Sequence, residues 1–144
     1  SILATDHAPH TWEEKQGSYF NAPSGLPLIQ HTLLLMLEMC EQNCFTPELI
    51  VERACHAPAR LFQVEDRGYL REGYWADLVV VDPEGKTPVK GTELFSKCGW
   101  SPFPHLTFTN AISTTIVSGK VAYEHGKLQM DCRGQRAEFA RDRR

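Results

Sequence analysis

The chain has 144 residues, 42% of them hydrophobic, and a formal net charge of -3. That length supports one ordinary domain or pieces of two smaller ones, and the charge balance excludes the basic face of a nucleic-acid-binding domain. No apolar run approaches the roughly 20 residues of a membrane span, and no leader pattern is read at the start.

Ser1-Ile2-Leu3-Ala4-Thr5 reads as a buried strand already under way, so further sequence is expected upstream of it. Asp6 to Leu26 is a loop rich in Pro and Gly, of a length that is usually functional or disordered. Pro27 is placed to start a helix at its first turn, where a missing N–H does no harm. Leu28, Ile29, Leu33, Leu34, Leu35, Met36, Leu37 and Met39 make that helix apolar on most sides and predict its burial. Thr46-Pro47-Glu48 supplies an N-cap, a first-turn proline and an acidic second position for the next helix. That helix is expected to run through Leu49, Ile50, Val51 and Ala54 until Pro58 interrupts it, with Pro58–Phe62 as a separate helical turn.

Ala76–Asp82 is a strand by its β-branched run. Ile112–Val117 and Lys120–Tyr123 form a hairpin across Ser118-Gly119, and His125-Gly126 turns into a last short strand around Leu128. A strand followed by helices, then a run of strands, predicts an α/β class: the end of an α/β domain over 1–62, part of a small β domain over 63–132, and a polar tail over 133–144. Arg133, Arg136, Arg141, Arg143 and Arg144 make the tail basic, and it is expected to be solvated. Cys40, Cys44, Cys55, Cys98 and Cys132 match no zinc-ribbon spacing and read as buried free thiols, consistent with a reducing cytoplasm.

The chemistry concentrates at Asp6, His7 and His10, which follow the first strand at once, with Pro9 preventing a helix. At the C-terminal end of a parallel strand, such groups project into the usual catalytic position of a barrel or open sheet. A carboxylate there can ligate a divalent metal and take a proton from its water, and a histidine beyond the turn can bond an anionic group. Composition alone equally allows a polar turn with a capping Asp and two surface histidines.

Thr5-Asp6-His7-Ala8-Pro9-His10, followed by Glu13-Glu14-Lys15, resembles the eighth-strand motif of dihydroorotases, which are metal-dependent cyclic amidohydrolases. Ala22-Pro23-Ser24-Gly25-Leu26 is similar to that family's substrate loop, and His56–Phe62 to the helix that ends the barrel. Gly73–Asp82 and Val117–Tyr123 resemble strands of the small β domain of amidohydrolases, and Ser96–Phe103 a segment typical of dihydroorotases. The resemblance spans nearly the whole chain, in the expected order. It implies the last strand and helices of a (β/α)8 barrel followed by part of a small β-sandwich domain.

The resemblance also implies roles. Asp6 would be a zinc ligand and the general acid/base. His10 would hold the carboxylate of dihydroorotate or carbamoyl aspartate, and the backbone of Ser24 and Gly25, in a loop shaped by Pro23, would meet the pyrimidine ring. The implied cofactor is Zn2+, in a binuclear site whose other ligands, including a His-x-His pair and a carboxylated lysine, are absent from this sequence. The implied activity is reversible hydrolysis of dihydroorotate to N-carbamoyl-aspartate in pyrimidine biosynthesis, in the cytoplasm, with this segment inactive alone. The missing N-terminal part of the barrel is then a required partner, and a homo-oligomer is left open. Two alternatives stay open: a non-catalytic scaffold subunit, and a related cyclic amidase such as dihydropyrimidinase or allantoinase. Other residues have plainer readings. His7 is expected in a structural hydrogen bond, Trp75 and Trp100 in β-domain packing, and Arg60 in an ion pair. Lys15 is expected as a solvated charge, Cys98 as unreactive, and His105 and His125 as loop residues.

Overall fold

The structure, a computed structural model, describes residues 1–140. In chain order these form α1 (Trp12–Lys15), α2 (Thr32–Glu41), α3 (residues 47–62), β1 (Leu78–Asp82), β2 (Thr87–Pro88), β3 (Thr107–Phe108), β4 (Ala111–Val117), β5 (Lys120–Glu124) and β6 (Lys127–Leu128). The architecture is mixed α/β.

Helix α3 starts where the sequence places it. The Thr46 hydroxyl accepts from Leu49 N at 3.2 Å, and Pro47 fills the first turn. The expected break at Pro58 does not occur. Pro47–Val51, a π-helical turn Glu52–His56 and Ala57–Phe62 follow one another in right-handed helical backbone. Within the π turn Ala57 N–H reaches back to Glu52 O, five residues away. That wider turn gives room for a proline ring that would otherwise press on the carbonyl four residues before it. The helix ends at Gln63, which takes the left-handed conformation with φ 56°.

Helix α2 starts later than Pro27 because its expected first turn is tied elsewhere. Ile29 N donates to His7 Nδ1 at 3.2 Å. The Gln30 side chain donates to Glu93 O at 2.9 Å and accepts from Phe95 N at 2.9 Å. These cross-links hold 29–31 as a turn, and 27–28 are irregular. Nor is Ser1–Thr5 a strand: among the described residues no segment lies alongside to form a ladder. Its ties are Leu3 N to Arg53 O at 2.9 Å and Arg53 Nη1 to Ser1 O at 2.8 Å.

The strand half is a four-stranded antiparallel sheet in the order β1-β4-β5-β6, with β2 and β3 as a separate antiparallel pair. Both hairpins turn on residues with positive φ, Ser118 (50°) with Gly119 (80°) and His125 (44°) with Gly126 (85°). These are the left-handed pairs that match strand twist in two-residue loops. Val79 and Val80 remain 46% and 49% exposed on β1, so no second layer covers them among the described residues.

Phe108 of β3 is fully buried, stacked on His31 at 5.8 Å and edge-on to Phe103 at 6.0 Å. Around this cluster, Thr109 N and Oγ1 both donate to Glu38 Oε2 at 2.9 Å, and Asn110 Nδ2 to Leu34 O at 3.4 Å. Helix α2 is thereby fastened to the strand half. Within the strand half, Arg67 pairs with Asp77, donates to Ser118 Oγ at 3.3 Å and Gln135 O at 3.2 Å, and lies 5.2 Å over the Trp75 ring.

The expected solvated tail is bound over part of its length. Glu65 N donates to Glu138 O and Ala140 N to Gln63 O, so the segment reaching Ala140 runs back antiparallel to Val64. Arg141, Arg143 and Arg144 lie outside the described residues. The cysteines are free, but none is buried as expected: Cys44 and Cys55 are exposed, and Cys40, Cys98 and Cys132 are half-buried.

Candidate functional site

Asp6 turns the chain at φ 46°, a conformation that aspartate tolerates better than most residues. Its side chain is exposed and carries no hydrogen bond or ion pair among the described residues. His7 follows with Nδ1 accepting from Ile29 N, which puts its proton on Nε2 when neutral and makes it a structural link, as expected. His7 and Leu26 form a parallel bridge, and Ala8 N donates to Leu26 O at 3.0 Å. The 22–26 loop is therefore docked along the Asp6–His10 segment.

Gly25 explains how close that docking is. It sits at φ +103°, and a Cβ there would lie 2.4 Å from Ala8 Cβ. The missing Cβ of Gly25 is what lets Ala8 approach this backbone so closely.

Beyond His10 the chain winds into α1 through a capping box. Thr11 N donates to Glu14 Oε2 at 2.8 Å, and Glu14 N donates to Thr11 Oγ1 at 3.3 Å. The same carboxylate lies 3.5 Å from His10 Nδ1. Thr11-Trp12-Glu13-Glu14 carries the capping-box spacing, a signal that marks α1 inside what otherwise reads as a continuous loop.

Two residues bind the site together in ways the sequence reading missed. Lys15 is not a solvated charge: it is partly buried, and its Nζ donates to Pro23 O at 2.6 Å and Gly25 O at 3.1 Å. Trp100 is not confined to the β half, since its Nε1 donates to His10 O at 2.8 Å and its ring meets Trp12 edge-on at 5.7 Å. Neither role leaves a local signature, because each is a contact between distant segments. His10, Pro23, Ser24 and Gly25 are thus held in one assembly, while Asp6 projects from the turn before it.

Beside this assembly lies a cavity of about 220 Å³ lined by His7, Gln30, His31, Phe95, Ser96 and Trp100 among others. His31 is 3% exposed and burial holds its imidazole below the usual histidine range. Cys98 Sγ lies 3.2 Å from Ser96 Oγ, a contact with no base to activate it. At the far end of α3, Arg60 pairs with Glu52 and donates to Tyr69 Oη at 3.0 Å. That pairing holds the Glu52 carboxyl below the usual carboxylate range.

No three His, Cys, Asp or Glu side chains converge to hold a metal ion among the described residues. A zinc site needs three or four protein ligands, and the exposed Asp6 carboxylate offers one. The residues present do not hold such a centre by themselves.

The amidohydrolase family profile matches residues 1–122, and the chain belongs to that family. Within it, the chain is similar to the dihydroorotase of Clostridium acetobutylicum, 38% identical over 124 residues that cover 85% of this chain and 29% of that protein. It is also similar to the dihydroorotase of Pyrococcus horikoshii, 32% identical over 94% of this chain and 31% of that protein. Among solved structures, a D-hydantoinase (dihydropyrimidinase) from Thermus sp. superposes with a TM-score of 0.80 at 25% identity, over 88% of this chain and 29% of that one. The chain therefore spans under a third of the length of these relatives. No helix among the described residues is long and apolar enough to cross a membrane.

Proposed function

We propose that this chain is the C-terminal portion of a dihydroorotase, which reversibly hydrolyses dihydroorotate to N-carbamoyl-aspartate. The observation that carries the proposal is the arrangement of an unpartnered, exposed Asp6 carboxylate just before His10, with the 23–25 loop docked alongside. The similarity to dihydroorotases over most of the chain supports it. In this reading residues 1–62 close a (β/α)8 barrel, 63–132 form part of a β-sandwich domain, and 133–144 follow as the C-terminal segment. The rest of the barrel comes from sequence outside this chain and brings the remaining zinc ligands. A cytoplasmic location goes with the free thiols.

The roles are those that the resemblance to dihydroorotases implies, and the chemistry of the groups suits them. His10 holds the substrate carboxylate through a ring N–H, with Glu14 3.5 Å from its Nδ1 to orient the ring. The backbone at Ser24 and Gly25 lies against the ring and fixes its orientation. Asp6 takes a proton from the water whose oxygen adds to the ring carbonyl carbon. As the C–N bond breaks, Asp6 delivers that proton to the departing nitrogen, and ring closure is the reverse.

A related cyclic amidase is the second reading, supported by the hydantoinase superposition. The carboxylate separates the two, because hydantoin and dihydrouracil have none for His10 to hold. In the complete protein, dihydroorotate turnover should exceed hydantoin turnover, and His10→Ala should weaken dihydroorotate binding far more than hydantoin binding. Equal losses on both substrates refute the dihydroorotase assignment. No turnover of either by a metal-loaded complete protein favours the scaffold reading, for which an exposed Asp6 beside His10 has no physical use.

A further inference from the structure

We infer that Lys15 is a positioning residue of the proposed site: its ammonium clamps the 23–25 loop and sets that loop against His10. The inference rests on the functional reading above for its effect on substrate, and on geometry alone for the clamp.

Lys15 Nζ donates to Pro23 O at 2.6 Å and to Gly25 O at 3.1 Å, so it grips the carbonyls on both sides of Ser24. These are charge-assisted bonds from a partly buried cation, shorter and stronger than neutral ones. No carboxylate among the described residues neutralises this ammonium within ion-pair distance. Its position is fixed from the other side by α1, a single helical turn sealed by the Thr11–Glu14 capping box. Because Thr11, the N-cap of α1, directly follows His10, one helical turn links the proposed carboxylate holder to the loop clamp at its last residue.

The clamp serves the middle of the loop, whose upstream end is held by the 2.8 Å bond from Ala22 N to Ser18 O. Across to Ala8 and His7 the loop has the Ala8 N to Leu26 O bond and the His7–Leu26 bridge, both at its downstream end. Ser24 itself is exposed. Loss of the ammonium therefore frees the part of the loop that would face the ring, while the sheet and α3 keep their own contacts. A loop that must be ordered at the moment of binding lowers affinity by the fraction of time it is competent. The effect belongs in KM rather than kcat.

The test compares Lys15→Met and Lys15→Arg with wild type in the complete protein. It reads amide exchange over residues 22–26, with the β4–β5 hairpin as internal reference, and KM and kcat for dihydroorotate. Lys15→Met should speed loop exchange about tenfold with the hairpin unchanged. KM should rise about tenfold, the factor equivalent to about 1.4 kcal/mol, with kcat within about threefold. Lys15→Arg keeps the charge but spreads its donors over a planar fork, so it should fall between; it also carries the test if Lys15→Met does not fold. Loop exchange and KM both within about twofold of wild type in the folded variants overturn the inference, as does faster loop exchange with unchanged KM. A wild-type protein without action on dihydroorotate overturns the functional reading instead, and the exchange measurement still decides the clamp.

Discussion

A methyl group at Gly25 tests the docking of the two loops that build the proposed site. In Gly25→Ala the new Cβ would lie 2.4 Å from Ala8 Cβ, on backbone at φ +103°. Carbon atoms pack at about 3.5–4.0 Å, so the loop must retreat by about 1 Å or leave its φ. Holding an L-residue in that region costs about 1–3 kcal/mol. The retreat also weakens the 3.0 Å bond from Ala8 N to Leu26 O, worth about 1 kcal/mol. The sum, about 3 kcal/mol, corresponds to roughly hundredfold faster exchange of the Ala8 amide, up to the limit of its own protection. Gly73→Ala is the control: Gly73 has φ +82° but nothing within 4 Å of a built Cβ, so it carries the backbone cost alone. Ala8→Gly in the Gly25→Ala background removes the opposing carbon and should recover the difference between the two. The reasoning is refuted if Gly25→Ala perturbs its loop no more than Gly73→Ala does, or if Ala8→Gly recovers nothing.

Arg67→Met should destabilise the protein by about 2 kcal/mol, since the guanidinium side chain is 13% exposed and its loss leaves the Asp77 carboxylate without its cation. Asp77→Asn should cost less, because the amide oxygen can still accept from Ser118 N; thermal unfolding of both variants checks the order. Burial lowers the His31 pKa in the folded protein, so the unfolded chain binds this proton more readily. The stability that His31 contributes is complete above about pH 6.5 and is lost as pH falls through the window down to its depressed folded value. Unfolding free energy measured between pH 7 and pH 5 should therefore fall less steeply in His31→Gln than in wild type; equal slopes reject this origin. Trp100→Phe removes the donor to His10 O while keeping an aromatic ring against Trp12. It should raise KM for dihydroorotate roughly three- to tenfold in the complete protein, and an unchanged KM removes Trp100 from the site's support.

Features written in adjacent residues could be read from the sequence. The Thr46-Pro47 start of α3, the Ser118-Gly119 and His125-Gly126 turns and the β-branched strand β1 all formed where composition placed them, because cap and turn chemistry act over a few residues. Pro58 was misread because the π turn that accommodates it leaves no sequence mark. The late start of α2 was also not legible, since it depends on His7, Glu93 and Phe95 claiming groups of Ile29 and Gln30. The same holds for Ser1–Thr5, whose strand pattern is apolar enough but whose pairing partner is not among the described residues. The motif from Asp6 to His10 could be located from sequence, and so could the loop at Pro23–Gly25. Their mutual arrangement could not.

That arrangement shows what this segment brings to its site. Asp6 and His10 are two side chains separated by a turn, and neither is buried or rigid on its own account. Their setting comes from backbone groups: the carbonyl of His10 taken by Trp100, the carbonyls of Pro23 and Gly25 taken by Lys15, and the amide of Ala8 given to Leu26. Each of these bonds uses a main-chain atom, so a substitution at His10 or Ser24 changes the chemistry offered and leaves the scaffold standing. A substitution at Lys15, Gly25 or Trp100 does the reverse. Kinetic effects should divide the same way. Asp6→Asn removes the proposed proton carrier and should act on kcat, whereas substitutions at the three supporting residues should act on KM through the fraction of time the loop is correctly placed. An Asp6→Asn variant that loses dihydroorotate affinity but keeps its turnover rate would contradict this division.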